Sequence, residues 1–506
     1  MTKQPNILLI MADQLTAFTL PCYGHPVVRA PHISALAAHG VVFENAYCNS
    51  PLCAPSRASL MAGRLPSRIG AYDNASELPA AVPTLAHGLR AQGYRTCLAG
   101  KMHFVGPDQL HGFEERLTPD IYPADFGWTP NWDAPEERID WWYHNMLSVK
   151  QAGVAEATNQ LDFDDEVAFR ATRFLTDAAR ADDPRPFFLL VSFSHPHDPF
   201  AIRKEYWDRY DGIAIDPPRV PPIAPGAMDP HSRRLWRVSA MDEVAITEDD
   251  VRRARRAYYG AISYVDDRVG ELMTTLRGFG LAGDTIVIFT SDHGELLGER
   301  GLWYKMAFFE WAARVPLIAW APDRFAARRA APLASLVDLL PTLLELGRPP
   351  PGHEPGLDLP TDGASLLPVL EGGAMPERTV LGEYLAEGAL APIVMIRRGA
   401  HKLIWSEPDP PLLFDLAHDP DELDNLAGRP EHAALLGELE AEVRRRWDPP
   451  ALHAAVLASQ RARRLTWQAL RHGQPTPWDY QPPRPAGRGH FDLNELERAR
   501  RFPRAD

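Results

Sequence analysis

Continuous apolar runs alternate with amphipathic stretches along the first 300 residues of the chain. Apolar runs with no polar face predict strands that are buried on both sides. Four such runs cover residues 6–12, 95–99, 186–193 and 284–290. Helical spacing or helix-start signals cover residues 31–40, 57–62, 83–92 and 250–279. Strands that alternate with helices predict an α/β domain with a mostly parallel, doubly wound sheet flanked by helices.

Polar residues that can take part in catalysis or metal binding follow three of these predicted strands. Asp13 follows the first, His195 and His197 follow the third, and Asp292 with His293 follows the fourth. In open parallel sheets, binding sites form beyond the carboxyl ends of the strands. The pattern therefore predicts a functional site at that edge, with His195 as a structural neighbour.

The pattern changes after about residue 370. Short strand-like pieces separated by polar turns are followed by a predicted helix at 431–446. We expect a catalytic α/β domain over residues 1–370 and a smaller α+β subdomain with an antiparallel sheet over residues 371–450. Residues 451–506 are rich in Arg and Pro and predict an extended arm that a partner surface orders. A disordered solubilising tail is the alternative for that segment.

Composition narrows the class of protein. The 506 residues include 45% hydrophobic and 24% charged residues, as in ordinary globular proteins. The formal net charge of −14 argues against a nucleic-acid partner, and an anionic substrate would need a local cluster of cations. Four cysteines in a chain of this length are no disulfide framework. With no signal peptide and no apolar run of membrane-spanning length, we expect a cytoplasmic protein that does not enter a membrane.

The segment from residue 50 to residue 64 contains the strongest candidate chemistry. Cys53 lies just ahead of the predicted helix, whose free N–H groups and dipole favour an anion. Arg57 comes four residues later, so one helical turn brings its guanidinium near Cys53. From spacing alone, a buried thiol beside an unrelated surface arginine is an equally good interpretation.

Cys53-x-Pro55-x-Arg57, followed by Ala58 to Arg64, resembles the signature of type I sulfatases of the alkaline phosphatase superfamily. The likeness extends from Asn6 to the segment near Asn425. In that family the cysteine is oxidised to formylglycine, and the resemblance implies an alkaline phosphatase-like fold and hydrolysis of sulfate esters. One hydroxyl of hydrated formylglycine attacks sulfur and expels the alcohol, and the resulting hemiacetal then collapses to release sulfate.

The resemblance also implies one divalent cation, with Ca²⁺ the first expectation and Mn²⁺ or Mg²⁺ the alternatives. The matched metal positions are Asp13, Gln14, Cys53, Asp292 and His293. Most sulfatases have Asp and Asn where this chain has Gln14 and His293, and imidazole is a softer donor that makes Mn²⁺ more plausible. Gln14 is either a ligand or a support. Asp13 considered alone could be a simple strand-terminal cap.

The matched catalytic positions are Cys53, Arg57, Lys101, His103, His197 and Lys305. By resemblance, Lys101 binds sulfate, His103 supports the diol, and His197 contacts sulfate or the leaving oxygen. Lys305 binds sulfate and assists the leaving alcohol, although a single lysine is more often a solvated surface charge. Asn74 is a neutral donor to the anion.

Longer segments resemble choline-sulfatases in particular, at residues 100–116, 120–128 and 138–145. A quaternary ammonium donates no hydrogen bonds, so aromatic faces and negative charge recognise it. The resemblance places four residues around the ammonium: Trp128, His144, Asn145 and Glu383. Ordinary core packing is the alternative for the tryptophans, and it is favoured for Trp141, Trp142 and Tyr143.

The expected substrate is therefore choline sulfate, a small sulfate ester. The segment from Pro477 to Pro483 is shared with chains of this type and implies that the arm supports a homo-oligomer, a dimer or tetramer. Two alternatives remain. One is a phosphonate monoester or phosphodiester hydrolase of the same superfamily, and the other is a non-catalytic choline-ester binding protein with an unmodified Cys53.

Overall fold

The computed structural model describes residues 4–135, 137–138, 144–350, 357–474 and 478–480. The strands are β1 (Asn6–Ala12), β2 (Val41–Tyr47), β3 (Arg95–Gly100), β4 (Glu115–Arg116), β5 (Gly153–Val154), β6 (Phe187–Phe193), β7 (Ala201–Ile202), β8 (Thr285–Ser291), β9 (Leu317–Trp320), β10 (Arg328–Ser335), β11 (Thr379–Tyr384), β12 (Ile393–Arg398), β13 (His401–Ser406) and β14 (Asp409–Asp415). Trp141, Trp142 and Tyr143 lie outside the described residues, as do residues 481–506 of the predicted arm.

The helices that connect and cover these strands range from single turns to 31 residues. They are α1 (Pro31–Ala38), α2 (Cys53–Ala62), α3 (Pro66–Ile69), α4 (Leu85–Ala91), α5 (Leu147–Lys150), α6 (Asn159–Arg180), α7 (Lys204–Trp207), α8 (Pro230–Val238), α9 (Glu248–Gly278), α10 (Glu310–Ala313), α11 (Leu339–Leu346), α12 (Leu367–Leu370), α13 (Ala433–Arg446) and α14 (Pro449–Leu470). In the parts of the chain that the structure describes, none of these helices is long and apolar enough to span a membrane.

The large sheet has the strand order β10-β2-β9-β8-β1-β6-β3-β4. All neighbours are parallel except β9, which runs antiparallel to both β2 and β8. The central strands β1, β6 and β8 are buried at every position, because helices cover both faces of the sheet. The sequence-based expectation of a mixed, mostly parallel sheet is confirmed.

The strand register aligns the ends of four adjacent strands. Ala12 of β1 is paired with Phe193 of β6 and with Ser291 of β8, while Gly100 of β3 is paired with Ser192. The residue after each strand therefore leaves the sheet at nearly the same level. This level is where the sequence predicts the functional site.

A second sheet, β11-β12-β13-β14, is antiparallel throughout. Its apolar face packs with α13 around a separate small core that includes Ile396, Leu403, Leu413, Leu439 and Val443. The predicted C-terminal α+β subdomain with a small antiparallel sheet is confirmed.

The C-terminal segment differs from the expectation. Residues 451–470, predicted to be part of an extended arm, belong to α14, which begins with Asp448 as its cap and Pro449 in its first turn. Strong helix formers dominate this stretch and the prolines begin only at residue 475, so its local propensity is helical. Beyond the helix, Trp478 packs on Phe126 and Asp479 accepts a hydrogen bond from the Ala124 N–H of the same chain.

Candidate active site

Four strand ends bring the predicted site residues together. Asp13 follows β1, Lys101 follows β3, His197 lies shortly beyond β6, and Asp292 follows β8. All four are buried. The turn into Lys101 requires Gly100, which has φ +106° and no room for a side chain: a Cβ there would lie 1.9 Å from the carbonyl oxygen of Ser192.

Helix α2 places Cys53 at the centre of this edge. The helix begins at Cys53 and not, as expected, near Arg57. Pro55 lies in the first turn, where the missing N–H has no helical partner to lose, so the proline does not delay the start. All ten residues of α2 are buried. The Cys53 Sγ lies 3.2 Å from His293 Nε2 and 3.8 Å from Asp13 Oδ1.

Four side chains form a group that can hold a metal ion: Asp13, Cys53, Asp292 and His293, with ligand atoms within 4.8 Å of one another. The His293 Nδ1 lies 2.9 Å from the Gly294 carbonyl oxygen and donates to it. The Nε2 lone pair is then directed into the group, as a metal ligand requires. Burial lowers the pKa of His293 to about 4, and the positive charge of Lys305 acts in the same direction. The ring is therefore neutral and can donate a lone pair to a metal ion. Two carboxylates and an imidazole suit a divalent cation.

Gln14 does not point its side chain at this group. Its amide nitrogen donates to Glu295 and to Asp198, and its amide oxygen accepts from the Lys305 ammonium. Only its backbone N–H reaches a metal-group residue, donating to Asp292 Oδ1 at 3.0 Å. Of the two roles predicted for Gln14, these contacts correspond to the support and not to the ligand.

Arg57 is completely buried beneath the group. Its Nε donates to Asp292 Oδ2 at 2.7 Å, and one terminal nitrogen donates to the Lys101 carbonyl oxygen at 2.6 Å and to Ser192 Oγ at 2.8 Å. A second terminal nitrogen lies 3.6 Å from Asp13 Oδ1. Arg57 therefore holds the strand ends and both metal-group aspartates in place, and the interpretation as an unrelated surface arginine is wrong.

Lys101 forms an ion pair with Asp13 and lies over the face of Tyr122, 3.9 Å from the ring centroid. Burial of Asp13 opposes its ionisation, yet the positive charges of Lys101 and Arg57 hold its pKa well below the ordinary value. The carboxylate therefore stays charged and remains available as a hard oxygen ligand.

Lys305 and His197 form a second pair. The Lys305 Nζ lies 2.7 Å from His197 Nε2, and His197 Nδ1 lies 2.6 Å from the Asp198 carbonyl oxygen. Nδ1 therefore carries the proton and Nε2 accepts from the ammonium. Burial, and then Lys305, lower the pKa of His197 well below its usual range. Burial lowers the pKa of Lys305, but the carboxylates of Asp198 and Asp13 outweigh it and raise that pKa overall. Lys305 is thus a charged proton donor.

An aromatic wall lies beside the two lysines. The Trp128 ring packs edge-on against His103 and against Tyr122, at centroid distances of 5.5 and 5.1 Å. The Tyr122 hydroxyl lies 3.1 and 3.2 Å from the two ring nitrogens of His197. Burial, and then Lys101, lower the pKa of His103 to about 3, so that ring is neutral. The wall links predicted sulfate-binding residues to the predicted ammonium-binding Trp128.

Asn74, His144 and Asn145 are also near the cluster. Asn74 Oδ1 accepts a hydrogen bond from the N–H of Ala54, the residue after Cys53. His144 Nδ1 lies 3.7 Å from Asp198 Oδ1, and its ring stacks on Tyr304 at 4.8 Å. The Tyr304 hydroxyl donates to the Asn145 carbonyl oxygen. His144 and Asn145 therefore both contact Tyr304, the residue directly before Lys305.

The structure does not bring Glu383 into this cluster. Its carboxylate is completely buried and accepts hydrogen bonds from the Ser67 N–H, the Ser67 hydroxyl and Trp447 Nε1, at 2.7, 2.7 and 2.6 Å. Burial raises its pKa despite these donors. These contacts give Glu383 a part in joining α3 and the end of α13 to β11, which differs from its predicted contact with an ammonium.

Sequence reasoning missed several site residues. Asp198 directly follows His197, and Tyr122 lies in the same 120–128 segment as Trp128. Both could therefore have been proposed as site residues from the sequence. Glu295 follows His293 by two residues and accepts from Gln14 and from the Leu297 and Tyr304 N–H groups. Its placement depends on the loop geometry, which no spacing rule specifies.

Comparison with known proteins agrees with this geometry. The family model described as "Sulfatase" matches residues 5–348, "N-sulphoglucosamine sulphohydrolase, C-terminal" matches 298–448, and "Choline sulfatase enzyme C terminal" matches 454–502. The chain is 48% identical to a choline-sulfatase of Rhizobium meliloti over the full length of both proteins. It is 34% identical to iduronate 2-sulfatase of Mus musculus, over 65% of this chain and 62% of that protein.

Solved structures show the same architecture. The phosphonate monoester hydrolase of Agrobacterium radiobacter superposes with a TM-score of 0.68 at 26% identity, covering 90% of this chain and 96% of that one. A protein solved in complex with D-glucosamine-2-N,6-O-disulfate shares the fold with a TM-score of 0.67 at 22% identity, over 88% of this chain and 99% of that one. The matched family model spans more than half of the chain and contains the whole cluster around Cys53, so the chain belongs to the sulfatase family of sulfuric ester hydrolases.

Proposed function

We propose that this enzyme hydrolyses choline sulfate to choline and inorganic sulfate. The observation that carries the proposal is the placement of Cys53 at the head of α2, where it is part of a buried metal-binding group beside two buried lysines, with the Trp128 wall next to them. Likeness to the Rhizobium meliloti choline-sulfatase over the full chain supports the same substrate.

The nucleophile is proposed to be formylglycine derived from Cys53, beside one divalent cation, Ca²⁺ in the first instance. When present, the hydrated aldehyde supplies an oxygen nucleophile, and the cation lowers its pKa and polarises a sulfate oxygen. Asp13, Asp292 and His293 would hold the cation together with the modified residue 53. As a thiol, Cys53 is a poor nucleophile, because burial and the neighbouring Asp13 raise its pKa to about 11.

The remaining residues bind the anion and stabilise its charge. Lys101 and Lys305 are the ammonium groups of the site, and Arg57 neutralises the two aspartates from below. Asn74 is held at the helix start as a neutral donor. Sulfate esters hydrolyse very slowly without catalysis, and buried cations of this kind stabilise the charge that develops in the transition state.

Departure of the alcohol needs a proton. Lys305 is charged and hydrogen-bonded to His197 Nε2, whose Nδ1 is anchored on a backbone carbonyl. The pair can deliver a proton to the leaving oxygen from Lys305 while His197 stays correctly oriented.

The ammonium group is proposed to bind against Trp128, His144 and Asn145. We propose Glu387 in place of Glu383 as the nearby carboxylate. Glu387 is buried, and both of its neighbours in sequence contact segments near the site. The Ala386 carbonyl oxygen accepts a hydrogen bond from Trp132 Nε1. The His231 ring lies between the carbonyl oxygens of Gly388 and of Met306, the residue after Lys305.

We also propose the domain division 1–370, 371–450 and 451–506, a homo-oligomer assembled through the C-terminal segment, and a cytoplasmic location. The four cysteines are all unpaired, which fits a reducing compartment. Size-exclusion chromatography with light scattering on the full chain and on a chain ending at residue 480 tests whether residues 481–506 take part in assembly. An unchanged oligomer size after truncation contradicts that role.

Turnover of choline sulfate by the metal-loaded enzyme tests the main proposal. Intact-peptide mass spectrometry first establishes the state of residue 53, since formylglycine lowers the peptide mass by about 18 Da. A preparation with the aldehyde should release inorganic sulfate and choline in equal amounts. A folded, metal-loaded, modified enzyme that releases neither product refutes the proposal. An unmodified thiol that binds choline sulfate without turnover supports the alternative of a binding protein.

A phosphonate monoester or phosphodiester hydrolase is the second candidate, favoured by the likeness to the Agrobacterium radiobacter enzyme and by the imidazole in the metal group. Parallel kcat/KM measurements on choline sulfate, an aryl sulfate and an aryl phosphonate ester separate the two. A clear preference for the phosphonate ester would replace the choline sulfate assignment.

A further inference from the structure

The C-terminal helix α14 packs on a loop of the catalytic domain that borders the site. A Cβ on Gly127 would lie 3.3 Å from the Trp467 ring, and the His453 ring lies 5.3 Å from that of Trp132. Gln460 accepts a hydrogen bond from the Trp132 N–H at 2.9 Å. The contacting residues share one face of the helix, at positions 453, 460, 463 and 467.

Arg463, on this face, forms a buried ion pair with Asp73. Its two terminal nitrogens donate to the two carboxylate oxygens, each at 2.7 Å. Asp73 is completely buried and the Arg463 side chain is only 9% exposed. A two-point pair of this kind fixes distance and orientation together, which a single contact does not.

Asp73 in turn shapes the loop that carries Asn74. Its carboxylate also accepts from the Ala75 N–H at 3.0 Å and the Ser76 hydroxyl at 3.2 Å, so the loop closes around it. The next residue, Asn74, accepts from the Ala54 N–H beside Cys53. Contacts therefore run without a break from α14 to the start of α2.

The same guanidinium reaches the loop that carries Trp128. One terminal nitrogen donates to the Thr129 hydroxyl at 3.2 Å, and that hydroxyl donates to the Phe126 carbonyl oxygen. Trp128, directly before Thr129, packs on His103. One side chain from the C-terminal helix thus contacts both the loop that carries Asn74 and the loop that carries Trp128.

We propose that Arg463 is a positioning residue of the active site, which sets the placement of Asn74 relative to Trp128. The assignment of Asn74 to the anion and of Trp128 to the ammonium rests on the proposed function. Arg463 itself touches no reacting atom and acts through Asp73 and Thr129.

The test compares three variants of the full chain. Arg463→Ala removes both links, Arg463→Lys keeps the charge but pairs with one oxygen only, and Arg461→Ala is the matched control. Arg461 lies on the same helix and pairs with Asp133, but that pair is exposed. Choline sulfate and 4-nitrophenyl sulfate are the substrates, inorganic sulfate is the inhibitor, and thermal melting reports folding.

Displacement of binding groups by about 1 Å can lower catalysis by about 100-fold, so we expect Arg463→Ala to lower kcat/KM for choline sulfate by about 10- to 100-fold. The loss should appear in both KM and kcat, with weaker inhibition by sulfate. Arg463→Lys should recover part of it. Arg461→Ala should stay within about twofold of the parent, because exposed pairs contribute little.

A folded Arg463→Ala enzyme with parental kinetics overturns the proposal, and so does an equal loss in Arg461→Ala. If Arg463→Ala does not fold, Thr129→Val removes the link to Thr129 without a charge change: a raised KM for choline sulfate alone supports the proposal, and parental kinetics contradict it. If the parent enzyme cleaves only 4-nitrophenyl sulfate, the choline sulfate assignment is refuted. The effect of Arg463→Ala on 4-nitrophenyl sulfate turnover and on inhibition by sulfate still tests the link from Arg463 to Asn74.

Discussion

Replacing Glu383 by glutamine distinguishes the role predicted from the sequence from the role its contacts give it. The carboxylate accepts three hydrogen bonds, two from Ser67 and one from Trp447, in a completely buried position. An amide of the same size keeps one acceptor oxygen and turns an NH₂ group toward a donor. Glu383→Gln should therefore destabilise the fold and leave ammonium recognition intact.

The size of this effect follows from the lost contacts. A hydrogen bond to a charged acceptor contributes about 1.5–3 kcal/mol, and a buried donor left without a partner costs about 1–3 kcal/mol. Burial raises the pKa of Glu383, so the neutral amide also removes part of the cost of burying a charge. We expect a net loss of about 2 kcal/mol in unfolding free energy, and a melting temperature lower by about 2 °C.

Thermal melting and steady-state kinetics measure both outcomes in one preparation. At a temperature where Glu383→Gln is folded, kcat/KM for choline sulfate and for 4-nitrophenyl sulfate should stay within about twofold of the parent. Glu387→Gln is the matched variant, and it should raise KM for choline sulfate while sparing the aryl ester. A Glu383→Gln enzyme with parental melting and a raised KM for choline sulfate alone would refute this reasoning.

Three further outcomes follow from the site. Cys53→Ala should lose turnover completely while its circular dichroism spectrum stays parental; residual sulfate release would show that residue 53 is not the nucleophile. Chelation should abolish activity and added Ca²⁺ restore it, and His293→Ala should weaken calorimetric Ca²⁺ binding at least about tenfold; unchanged affinity would remove His293 from the metal group. Burial lowers the pKa of His103 to about 3 and of His144 to about 4, whereas the unfolded rings take up protons below about pH 6.5. The unfolding free energy of the metal-free protein should thus fall as pH drops from about 6.5 to 4, by up to about 1.4 kcal/mol per pH unit for each ring. In His144→Asn the melting temperature should depend less steeply on pH. An unaltered slope in that variant would contradict the assignment.

The sequence by itself was sufficient for the central strands and the residues at their ends. The runs that form β1, β6 and β8 are apolar throughout, because both faces of a parallel sheet are covered, and this leaves a strong local signal. Asp13 and Asp292 follow their strands directly and His197 lies four residues beyond β6, so the topology of a parallel sheet brings them to one edge. The short strands of the second sheet were also visible in the pattern.

Helix boundaries and long-range partners were not determined by local pattern. The start of α2 at Cys53 depends on packing of a helix that is buried along its whole length, and the helical part of the C-terminal segment was obscured by the prolines that follow it.

What the tertiary structure alone decided is which polar groups satisfy one another. Gln14 points to Lys305 and not to the metal group, Glu383 is engaged by Ser67 and Trp447, and Arg463 reaches Asp73 across 390 residues of chain. A buried polar group must find a partner, but its identity depends on how distant elements are placed in the folded protein. The sequence determines which groups need partners, and only the packed fold determines which partners they have.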